Sequence, residues 1–319
     1  MAFSLDQAGR WSGGGKVVLR NLASVAEEVG DLRHDWLVIA KNIAPVVRRR
    51  GDRLLLVPQN AWAWHGPGGT TPEAARRAAI RALSEVSLRR TDAVVRLSSA
   101  IPDRGRPSLV MPNVLDAAFD EMTVRCPVDD ETAYVILAIG SWCTYRNSGR
   151  LLSAYSKYRA DGGRLGLRLI GSVATPAVAA ELRRATATVA VELVEDCSRF
   201  EVLGMLRSCA GAIFPSLVEA SPIALLEAIA LGVPIAISDI AGHLETALSA
   251  GATVPTFSPL SIDEISEALF RLETAAASAH RTVSAIGSER GRRLARERWS
   301  GEIVDFIRRT DEDSWGTTR

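Results

Sequence analysis

The feature that most constrains this chain is an alternation. Over its second half, short apolar runs take turns with segments of helical spacing. Residues 134–140 (YVILAIG) are apolar without interruption, as a strand covered on both faces requires. The same pattern predicts strands at 165–171, 189–194, 212–214 and 234–238. Between them it predicts helices at 151–159, 177–187, 199–207, 223–230 and 243–249, and an amphipathic helix at 261–272. Strands and helices in such turns build βαβ units on a parallel sheet. The first half repeats the pattern more loosely, with strands at 3–5, 36–39, 54–57, 93–97 and 109–111 and helices at 16–29 and 73–87. A glycine-rich loop, 12–15, precedes the first of these helices.

A length of 319 residues fits two domains. The polar, aperiodic segment 116–132, which contains Pro127, reads as the linker. The expected α/β architecture is two lobes, 1–120 and 121–298, with a cleft between the carboxyl ends of their sheets. Residues 299–319 are left as a closing segment, and from Thr310 onward they have the polar composition of a disordered tail. A formal net charge of +1 argues against a nucleic-acid binder, which needs a strongly basic face or domain. Positive charge gathers at Arg48–Arg50 and at Arg292, Arg293, Arg296 and Arg298. The plain reading is a solvated helix face; the sharper one is a patch for an anionic inner-membrane surface that carries a lipid-linked acceptor. Only three lysines occur, so arginine supplies nearly all cations, and it grips phosphate in a bidentate way that lysine does not. Four scattered cysteines in no metal spacing read as buried free thiols of a reducing cytosol. No signal-peptide pattern opens the sequence, and no apolar run approaches the ~18–20 residues of a membrane span. The expected location is cytoplasmic, with the arginine clusters as points of peripheral membrane contact.

The stretch 214–239 (FPSLVEASPIALLEAIALGVPIAISD) carries the chemistry. A strand ends, a loop follows, and a helix opens near Pro222, a residue suited to a first turn. The helix start at Ser221, Pro222 and Ile223 offers N–H groups and a positive dipole end to a phosphate. Glu219, in the loop, can reach hydroxyls of a sugar beside that phosphate, and Glu227, within the helix, can accept from ribose hydroxyls. The plain alternative is a pair of exposed helix glutamates; Glu227 has apolar neighbours, yet one face could still be open to solvent.

This segment resembles the Glu-x7-Glu signature of retaining GT-B glycosyltransferases, above all the large bacterial family 4, the glycosyl transferases of group 1. The usual text there is close to PSxxEGFGLPxLEAMAxGxPVVAS. Pro215, Ser216, Glu219, Pro222, Leu226, Glu227, Ala228, Gly232 and Pro234 fall in register. Residues 111–116 (MPNVLD) resemble the family's PNGVD, and 139–147 (IGSWCTYRN) its GRxxxxKN. Trp299–Ser300 resembles the ending whose last helix crosses back to the first domain. The resemblance implies the GT-B fold of two Rossmann-like domains. It further implies retaining transfer of a sugar from a nucleotide-sugar donor to a hydroxyl acceptor on a glycan, glycolipid or natural product, with no cofactor besides the donor. Glu219 and Arg146 would serve the reaction. Two departures stand out: Ser141 follows Gly140 where the family has arginine, and Ala220 and Ser221 replace glycines after Glu219. A nucleotide-sugar epimerase and a non-catalytic nucleotide-sugar-binding protein remain as alternatives.

Other candidates are local. The amides of Gly13, Gly14 and Gly15 can turn toward an anion, or simply make a tight turn. His65, beside Trp62 and Trp64, is a candidate for substrate contact or a surface-loop residue. Glu195, with Asp196 and Ser198, sits where a nucleotide base is often held, while Ser198 also suits a helix cap. His243 reads as a cap or structural residue, and His34 and His280 as incidental. Metal independence is expected, since the only Asp-x-Asp spacing, Asp311–Asp313, lies in the tail.

Overall fold

The computed structural model describes residues 3–5, 14–44, 52–65, 71–126, 130–188, 191–278 and 282–313. Ser12, Gly13, Arg48–Arg50, Pro127 and His280 lie outside the described residues. The chain divides into two compact units, Met1–Asp116 with Glu219–Ile223 and Arg292–Arg319, and Ala117–Val218 with Ala224–Gly291.

The first unit holds a parallel sheet of β1 (Phe3–Leu5), β2 (Trp36–Ile39), β3 (Arg53–Leu56), β4 (Ala93–Arg96) and β5 (Ser108–Val110), in that spatial order. Its helices are α1 (Gly14–Glu28), α2 (Trp62–His65) and α3 (Thr71–Arg90). Val18, Leu22 and Val25 recur at helical spacing and bury one face of α1. Leu54, Leu56 and Val94 pack with Leu88 of α3, and Trp64 closes over them.

The second unit begins with α4 (Ala117–Arg125). Its strands are β6 (Val135–Ile139), β7 (Gly166–Ile170), β8 (Val191–Val194), β9 (Gly211–Phe214), β10 (Ile235–Ser238) and β11 (Thr256–Phe257). They form one parallel sheet in the order β11-β10-β9-β6-β7-β8. The helices are α5 (Ser148–Ala160), α6 (Pro176–Thr188), α7 (Arg199–Ser208), α8 (Ile223–Ala230), α9 (Ala241–Ser249) and α10 (Ile262–Ala277), and α11 (Glu289–Asp313) ends the described chain. Tyr155 and Tyr158 of α5 are fully buried, and Tyr158 meets Phe270 of α10 edge-on at 4.7 Å between centroids. Among the described residues no helix is long and apolar enough to cross a membrane.

Several expectations need correction. The segment read as a linker contains α4, which turns Phe119 inward. Arg207 caps it, donating to the carbonyls of Thr123 (3.1 Å) and Cys126 (2.8 Å). Gly14 and Gly15 are not loop residues but open α1. The arginine run is not one solvated face. Arg292 is buried and Arg296 donates to the Leu115 carbonyl at 3.3 Å, whereas Arg293 and Arg298 face glutamates one turn on. Of the four free cysteines, Cys126 and Cys209 are buried, while Cys143 and Cys197 are half-buried.

The tail is helical as far as Asp313, and it is anchored. Trp299 donates to the Pro112 carbonyl at 3.0 Å, and Ser300 to Glu28 at 2.8 Å. Asp311, 2% exposed, accepts from the Arg33 amide at 2.5 Å and from the Trp36 indole at 3.0 Å. Its other neighbour is His34 Nδ1 at 2.8 Å, so this histidine is structural rather than incidental. Burial alone would raise the Asp311 pKa; His34, the Arg33 amide and Trp36 outweigh it and hold the carboxyl below its ordinary 3.8.

Asp311→Ala should therefore cost the first unit about 3 kcal/mol, on the scale of ~1–3 kcal/mol for each buried donor left unpaired. A carboxyl with a depressed folded pKa stabilises fully above its unfolded value and loses that contribution as pH falls through the folded one. Wild-type and variant unfolding curves, followed by circular dichroism in urea, should lie apart at neutral pH and draw closer as pH falls below the ordinary 3.8 toward the lower folded value.

Candidate functional site

The order of the second sheet reverses between β6 and β9: β7 and β8 lie to one side, β10 and β11 to the other. At such a reversal the loops leaving the two strands diverge and open a crevice at their carboxyl ends, the general ligand position of open α/β sheets. The loop after β6 begins at Gly140 and passes Ser141 to a single 3-10 turn, Thr144–Arg146. The loop after β9 is the one expected to carry Glu219. Two contacts lock these loops together. The Leu217 amide donates to the Tyr145 carbonyl at 2.8 Å. Asn147, in the left-handed region at φ 63, donates through Nδ2 to the carbonyls of Pro215 (3.1 Å) and Pro259 (2.7 Å).

Glycine at the ends of β6 and β7 is a matter of space. A Cβ on Gly171, where φ is +122, would stand 2.0 Å from the Gly140 carbonyl oxygen. A Cβ on Gly140 would press on the Arg146 guanidinium at 3.1–3.2 Å, so the guanidinium lies directly over that backbone. Arg146 also sits 5.6 Å from the centroid of the Tyr145 ring. Ser141, at the family's arginine position, is exposed and shares a 3.2 Å hydrogen bond with Ser172.

Glu227 is the fifth residue of α8, about one turn in, and it is buried. The exposed alternative is excluded. Its carboxylate accepts from Arg199 Nε at 2.5 Å, with side-chain exposures of 21% for the arginine and 5% for the glutamate. Arg199 opens α7, where Ser198 and Glu201 form a capping box: the Glu201 amide donates to Ser198 Oγ, and the Ser198 amide to the Glu201 carboxylate. The cap expected of Ser198 is borne out. Glu195, at the end of β8, is exposed, and Asp196 beside it takes φ 57.

Glu219, Ser221, Pro222 and Ile223 fall in the short segment that packs with the first unit. Ser221 is buried there: the Asn113 amide donates to its hydroxyl at 2.9 Å, and Asn113 Nδ2 to its carbonyl at 2.8 Å. Glu219 is half-buried. In the same unit His65 ends the one-turn helix α2, is exposed, and meets the Ala100 carbonyl through Nε2 at 2.7 Å. Trp64 donates to Glu85 at 3.0 Å, so that tryptophan anchors the segment. Gly14 and Gly15 bring their amides to the first turn of α1.

His243 is fully buried and is not a cap, since Ile240 holds the cap position of α9. The Ser238 hydroxyl, 3.2 Å from its Nδ1, also reaches the carbonyls of Phe214 and Ser216 at 2.9 and 2.7 Å, tying β10 to the start of the β9 loop. Burial, and then the Arg146 charge, push the His243 pKa down to about 3, so the imidazole stays neutral beside the guanidinium. Sequence reading missed Arg199 as the partner of Glu227. The signal was faint: an arginine just after a capping serine, on the same edge of the sheet. It also passed over Asn147 as the tie between loops.

The model of the family described as glycosyl transferases group 1 matches residues 127–286, which is 160 of 319 residues. No curated protein sequence matches the chain. Solved structures of similar fold include a TarM mutant of S. aureus in complex with Fondaparinux, alpha-GlcNAc-glycerol and UDP, at 10% identity and TM-score 0.62 over 91% of this chain and 58% of that one. They also include the trehalose 6-phosphate synthase of Burkholderia multivorans, at 13% identity and TM-score 0.59 over 94% and 75%. A third is the sucrose-phosphate synthase of Thermosynechococcus elongatus, at 14% identity and TM-score 0.63 over 97% and 95%. The chain spans a little under three-fifths of the length of TarM. These likenesses bear out the α/β class of GT-B type expected from the sequence, and the family match covers half of the residues. The chain belongs to the glycosyl transferases group 1 family.

Proposed function

We propose that the chain transfers a sugar from a nucleotide-sugar donor to a hydroxyl acceptor, on a carbohydrate or lipid-linked molecule, and keeps the donor's anomeric configuration. The observation that carries this reading is Glu227, a buried carboxylate in the helix that follows the switch-point loop, held in one orientation by Arg199. A charge is kept out of water in this way only with partners, and a fixed carboxylate suits two ribose hydroxyls. Arg146, seated on Gly140 at the end of β6, faces the place where a diphosphate would lie in an open α/β sheet. The S. aureus structure with UDP and alpha-GlcNAc-glycerol supports a nucleoside diphosphate and a glycosylated hydroxyl as the chemistry of this fold.

In this reading the bond between the anomeric carbon and the phosphate oxygen breaks, and the nucleoside diphosphate leaves. Negative charge grows on the leaving phosphate, where Arg146 and the amides at the start of α8 stabilise it. Glu219 serves the sugar and the positive charge developing at its anomeric carbon. The acceptor oxygen forms the new bond on the face that the phosphate leaves, and the phosphate takes its proton. No divalent cation is required, because a guanidinium and a helix start supply the charge. An epimerase would instead alter the donor sugar with no acceptor present.

Three outcomes are expected. Glu227→Gln keeps the shape but loses charge-assisted hydrogen bonds worth ~1.5–3 kcal/mol, so calorimetry should show donor affinity reduced roughly 10- to 100-fold; unchanged affinity removes Glu227 from the ribose site. Arg146→Ala should lower turnover by about 100-fold, the scale of removing one preorganised charge stabiliser, with partial recovery in Arg146→Lys. The wild-type rate should persist in EDTA, and a rate that magnesium must restore contradicts the metal-free reading. NMR of the first-formed product should show the donor's anomeric sense; inversion, or a changed donor sugar without acceptor, overturns the reaction class.

A further inference from the structure

Residues 112–116 follow β5 and belong to no strand or helix, yet the first unit holds the chain at each of them. From α11, Trp299 donates to the Pro112 carbonyl at 3.0 Å and Arg296 to the Leu115 carbonyl at 3.3 Å. From α1, Asn21 donates to the Val114 carbonyl at 2.9 Å and Arg20 to the Asp116 carboxylate at 2.6 Å. An irregular stretch whose acceptors are met in this way is a fixed part of the unit. Asn113, in its middle, is buried and turns to the segment 219–223 of the same unit. Its backbone amide donates to the Ser221 hydroxyl at 2.9 Å, and its Nδ2 to the Ser221 carbonyl at 2.8 Å. Asn113 Oδ1 is buried with no hydrogen-bond donor among the described residues, so it is the Nδ2 bond that orients the amide group.

Two bonds to one residue settle its orientation as well as its place. One runs from backbone to side chain and the other from side chain to backbone, so Ser221 cannot swing about either without breaking the other. Ser221 stands two residues after Glu219 and two before Ile223, which opens α8. Val218 and Ala220 are buried on either side of Glu219, which is half-buried between them. With both neighbours packed inward, the Glu219 side chain goes where its backbone directs it. That backbone is tied down at Ser221, and the same tie sets the opening amides of α8.

We infer that Asn113 is a positioning residue: acting through Ser221, it fixes where Glu219 and the first amides of α8 meet the donor. The inference rests on the transfer reading for the role of Glu219. Ser221→Ala and Asn113→Ala each remove one of the two bonds. Hydrogen exchange of the full chain without ligand should show the amides of 217–223 exchanging about tenfold faster in either variant, the scale of one lost hydrogen bond, with those of β2 unchanged. Donor hydrolysis, which needs no acceptor, is then followed with UDP-, GDP- and dTDP-glucose. On the donor that the wild type consumes, each variant should lower kcat about tenfold. Donor KM and the affinity of the matching nucleoside diphosphate should stay within roughly twofold, as for a restraint that matters only in the transition state. The double variant should lose less than the product of the two, because both bonds hold one residue. A side chain that only packs would lower the melting temperature without parting kcat from KM. Should Asn113→Ala unfold in circular dichroism, Ser221→Ala, which removes a single oxygen, decides alone. Unchanged exchange at 217–223, wild-type kcat, or a nucleotide affinity that falls with kcat each overturn the inference. A wild type that consumes none of the three donors instead fails the transfer reading, and exchange alone then decides whether Asn113 anchors the segment.

Discussion

A carboxylate removed from water has to be given partners, and each unit of this protein holds one that is. In the second unit it is Glu227, at the end of a strand–loop–helix passage, with Arg199 reaching across from α7. In the first it is Asp311, which gathers an amide, an indole and an imidazole from the segment leading into β2. Breaking such a set leaves buried charge or buried donors uncompensated, which is far more costly than never having built it. The elements supplying the partners are accordingly fixed: α7 by its capping box, β2 by the fully buried Trp36.

At the loops after β6 and β9 charge is set by burial. His243 is fully buried and kept neutral beside the Arg146 guanidinium, which lies over the Gly140 backbone. Protonating His243 would set two positive charges against each other in a dry place, and the fold avoids this by desolvating the imidazole. Meanwhile Ser238 and Asn147 hold the loop carbonyls that would otherwise be unpaired. Rigidity at these loops thus comes from neutral hydrogen bonds.

Much of this was legible in the sequence because buried parallel strands leave an unbroken apolar trace. The bounds of β1, β2 and α8 agree with the sequence reading residue for residue, and most other elements begin or end within one or two residues. The misses have local causes. In α4, Asp120, Glu121 and Thr123 hid the inward-facing Phe119 and, just beyond the helix, the buried Cys126. In α1, two glycines read as a loop because glycine is a poor helix former, yet the buried valines behind them carry the helix back to Gly14. The partners of the buried charges were out of reach for another reason. Arg199 lies 28 residues from Glu227, and His34 lies 277 from Asp311. Pairings at such separations are set by the packing of whole elements, and no window of sequence contains them.

The path of the chain has a consequence of its own. It leaves the first unit after Asp116, returns for the five residues Glu219–Ile223, departs again, and comes back for good at Arg292. Neither unit is therefore a contiguous stretch of polypeptide. A ribosome releasing this chain has made most of the first unit long before the helix that completes it exists. Until then Trp36 and its neighbours have no Asp311 to meet, so the N-terminal portion must wait, incompletely satisfied, until α11 has been synthesised.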